Sequence, residues 1–218
     1  MALFDGLRNR DIKQRLKNPI DEVWDRRLGI RTFGWHAGTG VPGTTNSYMP
    51  FVPSVYRDTL QYLRAVNLGP DDVFVDLGSG LGRTVFVASW MGAKRAVGVE
   101  LVQALTDGAE ANRARSNLRD RDIEFVCANA LEFYEPDMTI LYMFHPFGET
   151  VLEQVLANLK VKRDADANAK PLRIIYANPV YNDALQRTGW LRKTAQLPVT
   201  KLLFSSTGRY ETAIWQSI

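Results

Sequence analysis

Cysteine and histidine are almost missing from this sequence: its 218 residues include one cysteine, Cys127, and two histidines, His36 and His145. One thiol excludes an intrachain disulfide and a cysteine-built metal site. Two imidazoles are too few for the usual zinc ligand sets, so no metal-binding residue is expected. Cys127 falls in an apolar run and is expected to be inert packing. Long apolar stretches are missing too: none approaches the ~20 residues that span a bilayer. The opening MALFDGLRNRDIKQRL has no apolar core of signal-peptide length, so a cytoplasmic protein without membrane association is expected. An excess of one charge is also lacking. With 27 basic and 24 acidic residues the formal charge is +3, too little to indicate nucleic acid. The basic stretches 8–17 and 113–121 read as solvated helix faces.

What is present suits one α/β domain with an N-terminal extension: 45% of the residues are hydrophobic and 23% charged, enough for a full core. Residues 11–17 and 19–28 are expected to be short helices, the second with proline and acids in its first turn. Residues 34–45, rich in Gly, Thr and Pro, read as a loop or lid that Trp35, His36 and Tyr48 would help to close. The boundary is placed at residues 1–52 for the extension and 53–218 for the main domain. From Pro53 on, Val55, Tyr56, Leu60, Leu63 and Val66 follow a helical repeat that ends near Gly69-Pro70.

Short apolar runs at 73–75, 96–99, 123–127, 139–144 and 172–177 read as buried parallel strands, with helices predicted at 84–91, 102–118, 149–159 and 181–187. Residues 161–170 are polar and alanine-rich and read as an exposed connection. The tail offers strands at 190–197, 201–206 and 209–215 with no helix between them. The alternation predicts a Rossmann-like α/β fold: a mostly parallel central sheet with right-handed crossovers and an antiparallel C-terminal edge.

Asp76-Leu77-Gly78-Ser79-Gly80-Leu81-Gly82 lies between the first strand and its helix. Ligands of open α/β sheets bind beyond the carboxyl ends of the strands. Glycines there permit a sharp turn and close approach to the main chain, whose amides can hold a polar ligand group. A dinucleotide fingerprint would want a third glycine at position 83, where Arg83 stands, and the Gly-Lys-Ser/Thr of a P-loop is absent. What remains is an acid followed by three alternating glycines, with the Asp76 carboxylate suited to a ligand bearing a cationic amine. Glu100 closes the second strand. It can accept hydrogen bonds from ribose hydroxyls, or serve as the N-terminal acid of the next helix. Asn129 and Ala130 follow the third strand, where a side chain reaches an adenine edge; the plainer reading of Asn129 is a turn residue.

The segments DVFVDLGSGLGRT, RAVGVEL and CANALEF, in order and each at a strand end, resemble the class I S-adenosylmethionine-dependent methyltransferases over residues 53–178. The DLGSGxGR form and PFGETVLEQVL look closest to a bacterial family related to the non-SET lysine methyltransferases. FVPSVY resembles the segment that folds over the cofactor in that group, and DRRLGIRTFG its N-terminal stretch. The resemblance implies S-adenosylmethionine as cofactor. Asp76, Gly78, Ser79, Gly80 and Gly82 would surround its methionine part, Ser54 would lie in the covering segment, Glu100 would hold the ribose, and Asn129 and Ala130 the adenine. Asn129 stands where an aspartate is usual, Phe51 where a tyrosine is, and His145 where asparagine is frequent.

Methyl transfer from a sulfonium rests mainly on alignment and exclusion of water. His145 is the candidate base, with the role of a hydrogen-bonded orienter as its alternative. Pro146 and Phe147 are expected to shape the substrate pocket, although Phe147 also reads as a core aromatic. Asn178-Pro179 ends the fifth strand at the same sheet edge. The expected function is methyl transfer to an acceptor such as an amine of a protein side chain or small molecule. The rival readings are a non-catalytic cofactor- or nucleoside-binding module and a nicotinamide-dependent oxidoreductase; Arg83 argues against the latter.

Overall fold

The computed structural model describes residues 19–32, 53–198 and 210–218. The expectations for 11–17, for the 34–45 lid with Trp35, His36 and Tyr48, for Phe51 and for a strand at 201–206 lie outside the described residues.

Among the described residues, seven strands form one sheet in the order β3-β2-β1-β4-β5-β7-β6. They are β1 (Val73–Leu77), β2 (Arg95–Glu100), β3 (Ile123–Cys127), β4 (Ile140–Phe144), β5 (Arg173–Ala177), β6 (Leu191–Leu197) and β7 (Thr212–Ser217). The first five pair in parallel, while β7 runs antiparallel to both β5 and β6. The helices are α1 (Pro19–Leu28), α2 (Tyr56–Ala65), α3 (Arg83–Trp90), α4 (Gln103–Arg115), α5 (Glu149–Ala165) and α6 (Asn182–Arg187).

The central strands β1, β2, β4 and β5 are buried on both faces, as parallel sheets require. Successive side chains point to opposite faces. Phe74, Ile140, Tyr142 and Ile175 therefore pack with α1–α4 residues such as Leu28, Leu63, Phe86 and Ala109. Val75, Leu141, Met143 and Ile174 pack with α5 and α6 through Leu152, Leu156 and Leu185. The chain order reverses between β1 and β4, both central and both parallel. That switch point is where an open sheet leaves a crevice.

Residues 19–32 are fastened to the domain rather than draped over it. Leu28 and Ile30 are buried in the core, and the Leu28 carbonyl accepts from Ser116 Oγ at 2.9 Å and Asn117 N at 3.0 Å. Gly29, at φ 74°, sits so close to the end of α4 that a Cβ would lie 3.0 Å from the Arg115 carbonyl oxygen. Its left-handed backbone ends α1, as C-terminal glycines commonly do.

Two expectations are corrected. The 161–170 connection is half helix, because α5 continues to Ala165. Its buried Arg163 donates to the Met138 carbonyl at 3.5 Å and to that of Lys170, so a basic residue within the polar run holds the following loop against the sheet. Cys127 is exposed rather than packed, because β3 is an edge strand and Cys127 is its last residue; its Sγ lies 3.6 Å from the Leu101 carbonyl. Among the described residues no helix is long and apolar enough to cross a membrane, and no group of three His, Cys, Asp or Glu could hold a metal ion.

Candidate cofactor and methyl-transfer site

The crevice at the switch point is lined from the β1 side by the glycine turn. Gly78, Gly80 and Gly82 all have positive φ, at 84°, 54° and 86°, a region where side chains are strained. Two of them also have no room for one. A Cβ at Gly78 would lie 2.9 Å from Pro146 Cβ, and at Gly82 2.4 Å from the Phe125 ring. Main-chain bonds close the turn: Gly78 N and Ser79 N donate to the Val99 carbonyl at 2.8 and 3.1 Å, and Gly82 N to that of Ser79 at 2.9 Å. The Ser79 hydroxyl is buried without a hydrogen-bond partner.

Glu100 crosses from β2 to this turn. One carboxylate oxygen accepts from Gly80 N at 3.0 Å, the other from Leu101 N and Val102 N at 2.9 and 3.0 Å. The helix-terminal role is thus realised, and the same side chain braces the glycine turn. Each carboxylate oxygen has two lone pairs, so Oε2 retains an accepting site. Asn129 Oδ1 accepts from Leu131 N at 3.0 Å, the turn role anticipated for it. Ala130 lines a small apolar cavity with Leu77, Phe133 and Met138.

Asp76 is 3% exposed. Burial lifts its carboxyl well above the ordinary range, the charge of Glu100 adds to the rise, and a hydrogen bond from Thr84 opposes it. An acid with a raised folded pKa stabilises the fold below its unfolded value, near 3.8, and that contribution is lost as the pH rises through the folded value. Asp76→Asn keeps the shape without the charge. It is therefore expected to raise the melting temperature of the ligand-free protein at pH 7.5, with the gain vanishing below about pH 4. Equal melting curves at pH 7.5 would mean that Asp76 is not held as a disfavoured carboxylate.

Tyr142 pairs with Asp76 across the β1–β4 ladder, and its hydroxyl lies 2.8 Å from Ser54 Oγ. Ser54 is thereby joined to the Asp76 side of the crevice. On the β4 side, His145 is 9% exposed and has φ 40°. Asparagine and histidine are among the residues that best tolerate this region, so the departure from the usual asparagine keeps the backbone requirement. His145 Nδ1 is 3.4 Å from the Tyr176 hydroxyl, its ring rests 5.3 Å from that of Tyr181, and burial lowers its pKa. Pro146 packs on Gly78, which joins the β4 loop to the glycine turn. Phe147 is partly buried and packs against the margin of the core on the α5 and α6 side. Asn178, at the end of β5, is also left-handed, with φ 52°.

Arg83, which in the sequence marks only the missing third glycine, is buried at the centre of a polar network. Its guanidinium, 3% exposed, donates to Thr32 Oγ1 at 2.7 Å and to Asp21 Oδ2 and the Ser54 carbonyl at 2.9 Å each. It also lies 3.7 Å from Asp25 and 4.6 Å from the Tyr56 ring centre. The Tyr56 hydroxyl donates to Asp25 at 2.5 Å, and the Tyr56 amide to Asp21 at 3.2 Å. Burial raises the Asp21 pKa although Arg83 pulls it down. The first residue of α3 thus ties the glycine turn to α1 and to the chain entering α2. The only sequence signal was a set of acids and an arginine far apart in the chain.

A β3-β2-β1-β4-β5-β7-β6 sheet with the last strands antiparallel, a glycine turn after β1 and an acid closing β2 is the arrangement of the class I S-adenosylmethionine-dependent methyltransferases, and the chain has their fold. Residues 41–122 match the family described as Histone methylation protein DOT1. Over 88 residues the chain is 34% identical to a histone-lysine N-methyltransferase, H3 lysine-79 specific, of Caenorhabditis elegans, a match covering 37% of this chain and 9% of that protein. It is 31% identical over 139 residues to the ribosomal protein L11 methyltransferase of Thermus thermophilus, covering 62% of this chain and 51% of the relative. The chain thus spans about half or less of the length of these relatives. Among solved structures, magnesium protoporphyrin IX methyltransferase from Synechocystis PCC 6803 with bound SAM superposes with a TM-score of 0.55 at 13% identity, over 74% of this chain and 76% of that one.

Proposed function

We propose that the protein is an enzyme that transfers a methyl group from S-adenosylmethionine to an amine, with an amine of a protein side chain favoured over one of a small molecule. The buried Asp76 carboxylate at the switch point carries the reading. Burial and the nearby Glu100 disfavour its charged form, and an ammonium such as that of a methionine moiety would supply the countercharge that favours ionisation. The remaining residues fit the same group. The left-handed glycines bring main-chain amides to the crevice, Glu100 has an accepting lone pair for a ribose hydroxyl, and Asn129 and Ala130 follow the end of the third strand. When bound, S-adenosylmethionine supplies an activated methyl group on a sulfonium.

The chain's own part is positional. The turn and Glu100 orient, the Pro146–Gly78 contact narrows the crevice, and Asp76 offers a buried carboxyl where water is excluded. His145 borders the site as a neutral imidazole at physiological pH, because burial disfavours its cation. The preference for a protein acceptor is supported by the names of the two curated relatives, one a histone-lysine and the other a ribosomal-protein methyltransferase.

Calorimetric titration of the whole chain with S-adenosylmethionine, S-adenosylhomocysteine and NAD tests the cofactor. Micromolar binding of the two sulfur ligands alone is expected, followed by transfer of labelled methyl to a lysine-rich protein fraction. Binding of NAD alone, or of none of the three, would overturn the reading. Cofactor binding with no transfer to protein or small-molecule amines would instead favour a non-catalytic module.

A further inference from the structure

Tyr176 lies in the middle of the sheet, where its ring is core, yet its hydroxyl reaches the edge at which β4 and β5 end. There the Tyr181 main-chain N–H faces the hydroxyl oxygen, and burial pushes the phenol pKa up to about 12. The hydroxyl therefore keeps its proton at any working pH. Its oxygen is already an acceptor, and among the described residues the partner within reach of that proton is His145 Nδ1, at 3.4 Å. The imidazole cannot turn away from this contact freely. It is 9% exposed, its backbone is left-handed at φ 40°, and its ring lies 5.3 Å from Tyr181 at 44°.

Neutral imidazole has one donor and one acceptor nitrogen, and a neighbouring hydrogen bond decides which is which. We infer that Tyr176 is a positioning residue that donates to His145 Nδ1, so that His145 carries its proton on Nε2 and meets the methyl acceptor as a hydrogen-bond donor rather than as a base. This role rests on the proposed reading of the edge as the transfer site. It adds a specificity: the acceptor molecule places a lone pair, such as that of a carbonyl or carboxylate oxygen, opposite an N–H, and a cationic group is rejected there. Glu149, at the start of α5, is the charged group whose field reaches the Tyr176 hydroxyl.

Only two histidines are present in the chain, so the state of His145 can be read directly. The uniformly 15N-labelled 218-residue chain carrying His36→Gln would be examined by long-range 1H–15N correlation of the imidazole at pH 7.5. A bare Nδ1 and a protonated Nε2 are expected. Adding Tyr176→Phe, which removes only the hydroxyl, should at least triple the Nδ1–H fraction while S-adenosylmethionine affinity stays within about twofold. A purely structural tyrosine would leave the tautomer unchanged. The inference is overturned if His145 in the Tyr176-containing protein is Nδ1–H or doubly protonated, or if the phenylalanine variant gives the same spectrum. The first of these tests needs no variant at position 176. Failure of cofactor binding would count against the methyltransferase reading separately, because the tautomer is read without ligand.

Discussion

Glu100→Ala is expected to leave a folded protein whose affinity for S-adenosylmethionine has dropped at least about a hundredfold in calorimetric titration. The carboxylate accepts three main-chain N–H groups, from Gly80, Leu101 and Val102. Hydrogen bonds to a charged group contribute about 1.5–3 kcal/mol each. Losing the brace on Gly80 and the acceptor proposed for a ribose hydroxyl removes about 2.7 kcal/mol or more, which is the hundredfold. The fold survives because the amides of Leu101 and Val102, at the start of α4, can turn to water, as helix ends do. Glu100→Gln retains one acceptor oxygen without the charge and should fall between, near a tenfold loss. An alanine variant that binds within threefold of the parent would remove Glu100 from the cofactor site and leave it only as the terminal acid of α4.

The second large effect concerns stability. Arg83→Met should cost about 3–5 kcal/mol, because the deletion leaves the Asp21 and Asp25 carboxylates, with side chains 4% and 6% exposed, buried without their cation. For a chain of this size that corresponds to a fall of about 10 °C in melting temperature, followed by circular dichroism. Arg83→Lys should recover little. An ammonium cannot reproduce a planar group that donates at once to Thr32, Asp21 and the Ser54 carbonyl. A loss below about 3 °C would show that residues 19–32 do not depend on this contact for their place on the domain.

Much of the fold was legible because its periods are local. A β-strand buried on both faces has to be apolar at nearly every position, and Val73–Leu77 and Ile140–Phe144 are. The glycine turn was legible for a related reason: positions 78, 80 and 82 all take left-handed backbone, and no other residue occupies that region so freely. Helix ends were harder. Residues 161–165 set exposed Val161, Asp164 and Ala165 beside buried Arg163 at the end of a long helix, a mixture that composition does not distinguish from a loop. Cys127 was misread because an apolar run does not say whether its strand is central or at the edge.

The candidate site divides along the same line. Asp76, Glu100, Asn129 and His145 stand at strand ends, and strand ends of a doubly wound sheet converge by topology, so their neighbourhood was readable from spacing alone. Their partners were not. Asn129 and Glu100 bond to main-chain amides beside them, a choice made by local geometry. Tyr176 in its apolar strand reads as a core ring, and only the end-to-end alignment of β4 and β5 brings its hydroxyl to His145. The Arg83 network joins residues 29 to 62 positions apart, contacts that no local period encodes.

The sequence by itself therefore determined the mostly parallel sheet with its antiparallel edge and the position of the crevice, because burial and backbone strain act over a few residues and leave their mark on composition. Only the tertiary structure decided which carboxylate is desolvated, which hydroxyl faces the imidazole and which acids the buried guanidinium neutralises. Those outcomes depend on dielectric and on distances of a few ångströms between segments far apart in the chain.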